Sequence, residues 1–274
     1  MTENENMEYR MQIEIFFEFA CMDYTDKDTS GRYARARMIL DQHPEIAQFD
    51  IYTSSIVGDI GTVKNLLKQD PSLARQKGAP RNWDPLLYLC YSRVNSQIEG
   101  HNTLEAAKIL LQNGADPNTQ FTHPYGSIFT AVTGALGEGE RGPANQPEHQ
   151  YGFELAKLLL DAGSNPNDGQ ALYNRMFKPE NDVIHLFLSY GLKANDKVNW
   201  VENSEYGMLD FLLGYAVKQN FPQRVALLLE HGADPNSLDF YNKKSHYKNA
   251  VANGNAEIAE LLVKYAPERA AEMT

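Results

Sequence analysis

Three groups of residues in this chain of 274 have the types and spacing that chemistry needs. The first is GEGERG at 137–142, which fits GxGxxG, the loop that brings backbone close to a pyrophosphate when it follows a strand and opens a helix. Here it follows a helical run and continues into GPANQPEHQ, and Glu138 and Glu140 stand where a phosphate would be repelled, so it reads as a solvated loop. The second group is the histidines, His43, His101, His123, His149, His185, His231 and His246, which could hold a metal or move protons. None has a second histidine or a cysteine three or four residues away, the spacing that sets two ligands on one helical turn. The third is carboxylates in pairs, Glu138 with Glu140 and Asp23 with Asp26. Both pairs lie in hydrophilic stretches, where no pocket would shift a pKa for acid/base work. GxSxG, HExxH and the Walker A loop do not occur. The expectation is a chain with no enzymatic activity, no cofactor and no metal. A rival reading keeps an enzyme or small-ligand pocket beneath an insertion at 134–150, with His123, His149 and Glu148 converging in it.

The elements that would position such residues are helices, and they recur. AAKILLQ (106–112), LAKLLLD (155–161), HLFLS (185–189) and VALLLE (225–230) place apolar side chains at helical spacing, so each helix has one face to bury. NGADPN (113–118), AGSNPN (162–167), YGLKAN (190–195) and HGADPN (231–236) follow them directly. Gly114, Gly163, Gly191 and Gly232 suit a left-handed helix end, Pro117, Pro166 and Pro235 prevent the helix from resuming, and Asn118, Asn167 and Asn236 suit a turn closed by their side chains.

On these loops the chain resembles the ankyrin-repeat family, and in particular bacterial members of unassigned role. The resemblance implies an all-α solenoid of stacked helix-turn-helix pairs, each preceded by a finger. Degenerate repeats read at 49–82, 83–121, 122–168, 169–200, 201–238 and 239–269, with an N-terminal helical capping pair at 1–48 and a C-terminal tail at 270–274. The intervals between loop glycines, 49, 28 and 41 residues, depart from the family period of about 33. No repeat keeps the family's TPLH; DPLLY (84–88) comes nearest, with Asp84 as cap and Pro85 at the first helical position. In the capping pair, MQIEIFFEFACMDY (11–24) reads as helix although Ile13, Ile15, Phe17 and Phe19 also fit strand alternation, and RARMILDQHPEIA (35–47) matches VKNLLKQDPSLA (63–74). PERAAEMT (267–274) would cap the other end.

Composition narrows the partners. Cys21 and Cys90 are too few for a disulfide framework and read as small buried hydrophobes in a reducing compartment. The amino terminus is acidic and polar, no segment reaches the roughly 20 apolar residues of a membrane span, and the expected location is the cytoplasm. A net charge of −11 opposes nucleic acid and anionic membrane as partners.

What remains is a presented surface. The resemblance implies that fingers and exposed inner-helix positions, lining a concave side, bind a protein partner, and that the chain acts as a monomeric adaptor or inhibitor. Self-association as a structural module is a further alternative. Carried onto this chain, the family's contact positions are Arg81, Trp83 and Tyr91, then His123 and Tyr125, then Lys218 and Gln219, then Tyr241 and Lys244. Trp200 joins them on composition, and both tryptophans could instead wedge between neighbouring fingers. Loops at about 92–102 and 134–151 are longer than the family template by roughly nine and sixteen residues. The second, rich in Gly, Pro and Glu, reads as disordered, or else both fold together as a second contact site. Between Asn167 and the helix near Ala171 there is hardly room for a finger, so the row of fingers should have a gap there.

Overall fold

In the computed structural model, residues 3–200 and 204–267 are described, with side chains from residue 7 onward. The tail at 270–274, and the terminal cap beyond residue 267, lie outside the described residues. The chain divides into two compact bodies, Met1–Asn165 and Pro166–Thr274. The division falls just ahead of the repeat that lacks a finger.

The N-terminal body begins with a paired α1 (Glu3–Ala20) and α2 (Ser30–Gln42). Three hairpins follow, α3 (Ile51–Val57) with α4 (Ile60–Gln69), α5 (Pro85–Tyr91) with α6 (Thr103–Gln112), and α7 (Ala131–Leu136) with α9 (Gly152–Asp161). A short α8 (Gly142–Asn145) interrupts the third. Inner helices α3, α5 and α7 pack in order, and so do outer helices α4, α6 and α9. α1 settles the helix-or-strand ambiguity at 11–24 as helix through Ala20. His43 and Asp70, each before a 3-10 turn led by proline, have matching backbone angles (φ −132°, ψ 66° and φ −145°, ψ 95°).

The C-terminal body repeats the plan with α10 (Gly169–Arg175) and α11 (Asp182–Ser189), α12 (Met208–Gln219) and α13 (Pro222–Glu230), and α14 (His246–Ala252) and α15 (Ala256–Tyr265). Inner helix α12 packs on both α10 and α14.

Local chemistry explains the recurrence. Gly114, Gly163, Gly191 and Gly232 have φ between 90° and 105°, and the next residue in each case donates to the carbonyl five positions back, as in Ala115 to Leu110 (2.9 Å) and Leu192 to Phe187 (3.0 Å). These bonds satisfy carbonyls that the last helical turn leaves open. The loop asparagine behaves differently from the expectation. Asp116 and Asp234 close the local turn, accepting the N–H of Asn118 (2.9 Å) and Asn236 (2.8 Å). Asn118 instead reaches the next loop, donating to Gly163 O (3.1 Å) and accepting from Asn165 N (2.9 Å). Asp116 already closes the turn, and the following loop offers the Asn118 amide both an acceptor and a donor.

Every inner helix but α12, which has Gly207 at its cap position, begins on a side-chain cap. Asp84 accepts the N–H of Leu87 (3.0 Å) with Pro85 first in the helix, Asp168 accepts that of Ala171 (3.0 Å), and Ser245 that of Lys248 (3.2 Å). Fingers precede them. In the third repeat the finger is a two-stranded hairpin, β1 (Gln120–Thr122) with β2 (Ile128–Thr130). Elsewhere isolated backbone bonds close it, Gly78 N to Trp83 O (3.0 Å), Val198 N to Tyr206 O (3.0 Å) with Met208 N to Asp196 O (2.8 Å), and Asp239 N to Lys244 O (2.9 Å) with Lys243 N to Asp239 O (3.0 Å). Where the fourth finger is missing, Asn199 of the next finger fills in. It donates to Asn167 O (2.5 Å) and accepts from Gly169 N (3.1 Å).

Candidate interaction surfaces

In the N-terminal body most aromatic residues of the fingers and inner helices are gathered and covered, with Phe121 partly open and Tyr125 exposed. Trp83 (5% exposed), Tyr88 and Tyr91 (both 0%) and Phe129 are buried. Trp83 lies 4.6 Å from Phe121, 5.2 Å from Tyr91 and 5.3 Å from Tyr88, ring centre to ring centre. Gly134 makes this possible, since a Cβ there would meet the Tyr91 ring at 2.3 Å. The cover is the loop between α1 and α2. Met22 N donates to Tyr91 O (2.9 Å) and Arg93 N to Ala20 O (2.8 Å), so the strand lies along the end of α5. Tyr24 then places its ring 4.6 Å from Phe129 and 6.2 Å from Tyr91.

Charge holds that loop in shape. Asp28, fully buried, accepts from Asp23 N (3.2 Å), Tyr24 N (2.7 Å) and Arg32 Nη1 (2.8 Å). Arg32 also pairs with Asp23 (3.0 Å), and so does Arg81 (3.2 Å), whose guanidinium sits 4.9 Å over the Trp83 ring. Burial and then the charge of Asp23 push the Asp28 carboxyl up to about 6. Burial also works against the charge on Asp23, but the hydrogen bond from Arg32 and the charges of Arg81 and Arg32 outweigh it and hold Asp23 at about 2.

The insertion at 134–150 is ordered, contrary to the expectation from its composition. Arg93, whose side chain is fully buried, donates from Nε to Pro147 O (2.6 Å), from Nη2 to Gly134 O (2.6 Å) and from Nη1 to Cys90 O (3.1 Å) and Ser92 O (2.7 Å). Tyr33 donates to Asn145 O (3.1 Å) and Arg141 to Thr25 O (3.1 Å). A Gly- and Pro-rich run has carbonyls to offer, and one guanidinium collects them from positions far apart in the sequence. The two long loops also touch, Asn102 donating to Tyr151 (3.5 Å), while Gln150 reaches Thr103 at the start of α6 (3.3 Å).

The convergence of His123, His149 and Glu148 in a pocket beneath the insertion does not occur. His123 precedes α7 and His149 follows it, and Arg93 fills the space between the insertion and α5. His149 is buried, and burial followed by the charge of Arg93 lowers it to about 3, leaving the ring neutral. An open groove of about 690 Å³ that reaches His123 lies on the finger side instead, between Asp23, Lys77, Arg81 and Phe121. Among the described residues, no group of three or more His, Cys, Asp or Glu could hold a metal, and no helix is long and apolar enough to cross a membrane. Cys21 and Cys90 are buried free thiols.

The C-terminal body carries a second aromatic array, and it is open. Phe211 of α12 is its floor, with Trp200 at 5.0 Å, Phe240 at 5.4 Å, Tyr241 at 6.1 Å and Tyr173 at 6.2 Å. Tyr206 stacks edge-on against Phe240 (5.3 Å), and Phe177 against Tyr215 (5.5 Å). Tyr241 is 63% exposed; Tyr173, Phe177, Trp200, Tyr206, Tyr215 and Phe240 are all partly exposed. Lys243 lies 5.0 Å from the Phe240 ring and 6.0 Å from that of Tyr206. Lys218, Lys243 and Lys244 are exposed and have no ion-pair partner among the described residues.

The sequence-derived contact residues therefore fall into two sets. Arg81, Trp83, Tyr91 and His123 come together in the N-terminal body as a wedge beneath the α1–α2 loop, with Tyr125 projecting nearby at 91% exposure. Trp200 and Tyr241 meet over Phe211, and Lys218, Gln219 and Lys244 stand exposed in the same body. Sequence reading missed Tyr24, Phe129, Tyr206, Phe240 and Lys243. A signal was available: Trp83, Phe129 and Tyr206 each immediately precede the residue that opens an inner helix, Asp84, Thr130 and Gly207.

A fowlpox virus protein named for its ankyrin repeats is 30% identical over 175 residues, 62% of this chain and 34% of that protein, so the chain spans about a third of its relative's length. An ankyrin repeat domain from Acinetobacter baumannii superposes with a TM-score of 0.54 at 20% identity, over 79% of this chain and 99% of that one. The human ASB11 ankyrin repeat domain gives 0.48 at 17% identity over 78% and 82%. No protein-family model matches.

Proposed function

We propose that this chain, which has the fold of ankyrin repeats and so acts through the surface it presents, is a monomeric protein-binding module, an adaptor or inhibitor without chemistry of its own. The partner docks on the finger side of the C-terminal body. The observation that carries this reading is the open aromatic array around Phe211 with Lys243 over its rings, in a body that also exposes Lys218 and Lys244. Aromatic anchors beside cations are the composition enriched at protein interfaces, and rings already stacked on one another lose little freedom when a partner arrives. Trp200, Lys218, Gln219, Tyr241 and Lys244 are the proposed contacts, and Tyr125 is a separate, smaller one. Trp83, Tyr91 and His123 act structurally, because their contact surface is spent on Tyr24, Phe121 and Phe129.

Affinity capture from the native host tests this with two variants. Lys218→Glu with Tyr241→Ala should lose the partner that the unaltered chain retains, whereas Tyr125→Ala should keep most of it. If the same partners copurify equally with both variants and the unaltered chain, the surface assignment is wrong.

A further inference from the structure

We propose that the finger side of the C-terminal body accepts an extended acidic segment that carries a tyrosine. This names the partner chemistry and rests on the protein-binding reading above. The chain itself displays the occupied form of such a face. In the N-terminal body, Tyr24 wedges against Phe129, the aromatic that precedes an inner-helix cap, and against Tyr91. Its neighbour Asp23 pairs with Arg81 (3.2 Å), a cation lying over Trp83, which holds the corresponding place one repeat earlier. Backbone bonds from Met22 and to Ala20 fix the strand. The occupant thus contributes one aromatic ring, one carboxylate and an extended main chain.

The C-terminal body has the receiving parts without the occupant. Tyr206 holds the position of Trp83 and Phe129, ahead of the inner-helix start at Gly207. Lys243 lies over Tyr206 and Phe240 as Arg81 lies over Trp83. The difference is that Arg81 has Asp23 as a partner, while Lys218, Lys243 and Lys244 have none among the described residues. Two carboxylates near these rings, Asp210 on α12 and Asp239 in the finger, are turned to backbone. Asp210 accepts from Asp234 N (2.7 Å), and Asp239 accepts from Tyr241 N (3.0 Å) and Asn242 N (2.8 Å). Exposed rings beside the ammonium of Lys243, which has no ion-pair partner among the described residues, on a body that also exposes Lys218 and Lys244, fit a ligand that brings both an aromatic face and negative charge.

The probe is a synthetic octapeptide with the sequence of residues 22–29, MDYTDKDT, titrated to about 1 mM into the isotope-labelled full chain and followed by amide NMR. Shifts should appear at Tyr206, Lys218, Phe240, Tyr241 and Lys243. Replacing the peptide's tyrosine by alanine should weaken binding at least about tenfold, and replacing its three aspartates by asparagine at least about fivefold with loss of the salt dependence. Because these changes are made in the peptide, folding of the protein does not enter. No shift, equal shifts with all three peptides, or shifts confined to residues before 166 would each overturn the proposal. If capture still depends on Tyr241 while the peptide fails, only the partner chemistry is wrong; if neither depends on this face, the protein-binding reading of it fails as well.

Discussion

The two bodies present the same kind of face in two conditions. The N-terminal body covers the aromatics at the base of its fingers with a loop of the chain's own, so that Trp83, Tyr88 and Tyr91 are core although Tyr125 projects, whereas the C-terminal body leaves Trp200, Tyr206, Phe240 and Tyr241 partly or largely open. The aromatic content is alike; the cover differs. Composition alone therefore does not mark a docking surface in such repeats. What marks it is whether another segment already supplies the ring and the carboxylate that the face receives.

The comparison breaks first at the two buried arginines. Arg224 is the C-terminal counterpart of Arg93, fully enclosed and donating to Met176 O (2.8 Å), Lys178 O (2.6 Å), Glu180 O (2.6 Å) and Asn181 Oδ1 (2.9 Å). Burial lowers both guanidinium pKa values, that of Arg224 to about 10, which leaves Arg224 charged at neutral pH. Arg93→Met should cost about 3–5 kcal/mol in the N-terminal body, since it strands several carbonyls at once, and Arg224→Met should do the same in the other body. Urea unfolding followed by probes placed in each body checks the assignment; a loss shared equally by both bodies would contradict it.

Next in size is Tyr24→Ala, which opens the covered face and should cost about 1–3 kcal/mol. In a Trp200→Phe background, the emission of Trp83 should move to the red; an unchanged spectrum would mean that the loop is not the cover. Acidity sharpens the picture further. Asp28 has a folded pKa of about 6 against an ordinary 3.8, so its contribution is greatest below about 4 and is lost as the pH rises through 6. Asp23, at about 2, behaves oppositely: its contribution is present above about 4 and is lost as the pH falls toward 2. Asp28→Asn should therefore flatten the fall in the urea midpoint between pH 4 and 6, and should leave the acid limb below 4 in place. The smallest effect belongs to Tyr241→Ala, under about 0.5 kcal/mol of stability because the ring is mostly exposed. A larger loss would place Tyr241 in the core rather than on the docking face.

Much of the fold could be read locally, because its signals are local. The glycine that needs positive φ, the proline that stops a helix and the aspartate at 84 that caps one each act within a few residues, and the structure uses all three as their chemistry dictates. What escaped reading depends on residues far apart. GEGERGPANQPEHQ has the composition of a disordered loop, and it is ordered by Arg93, more than forty positions upstream of Pro147. Trp83 and Tyr91 have the composition of a contact surface, and Tyr24, outside the repeats, converts them to core. The tryptophan at 83 is a wedge, whereas the one at 200, with the same composition around it, remains partly open because no segment among the described residues covers it as Tyr24 covers Trp83's cluster.

Arg93 also governs how the chain comes apart. Arrays of repeats hold together by nearest-neighbour interfaces and can shed their end repeats singly, fraying inward. A guanidinium that gathers carbonyls from 90, 92, 134 and 147, next to a strand at 20–22, removes that freedom from residues 1–165. Amide exchange there should follow one cooperative opening, while α14 and α15, held by their neighbours in sequence, exchange earlier and by themselves.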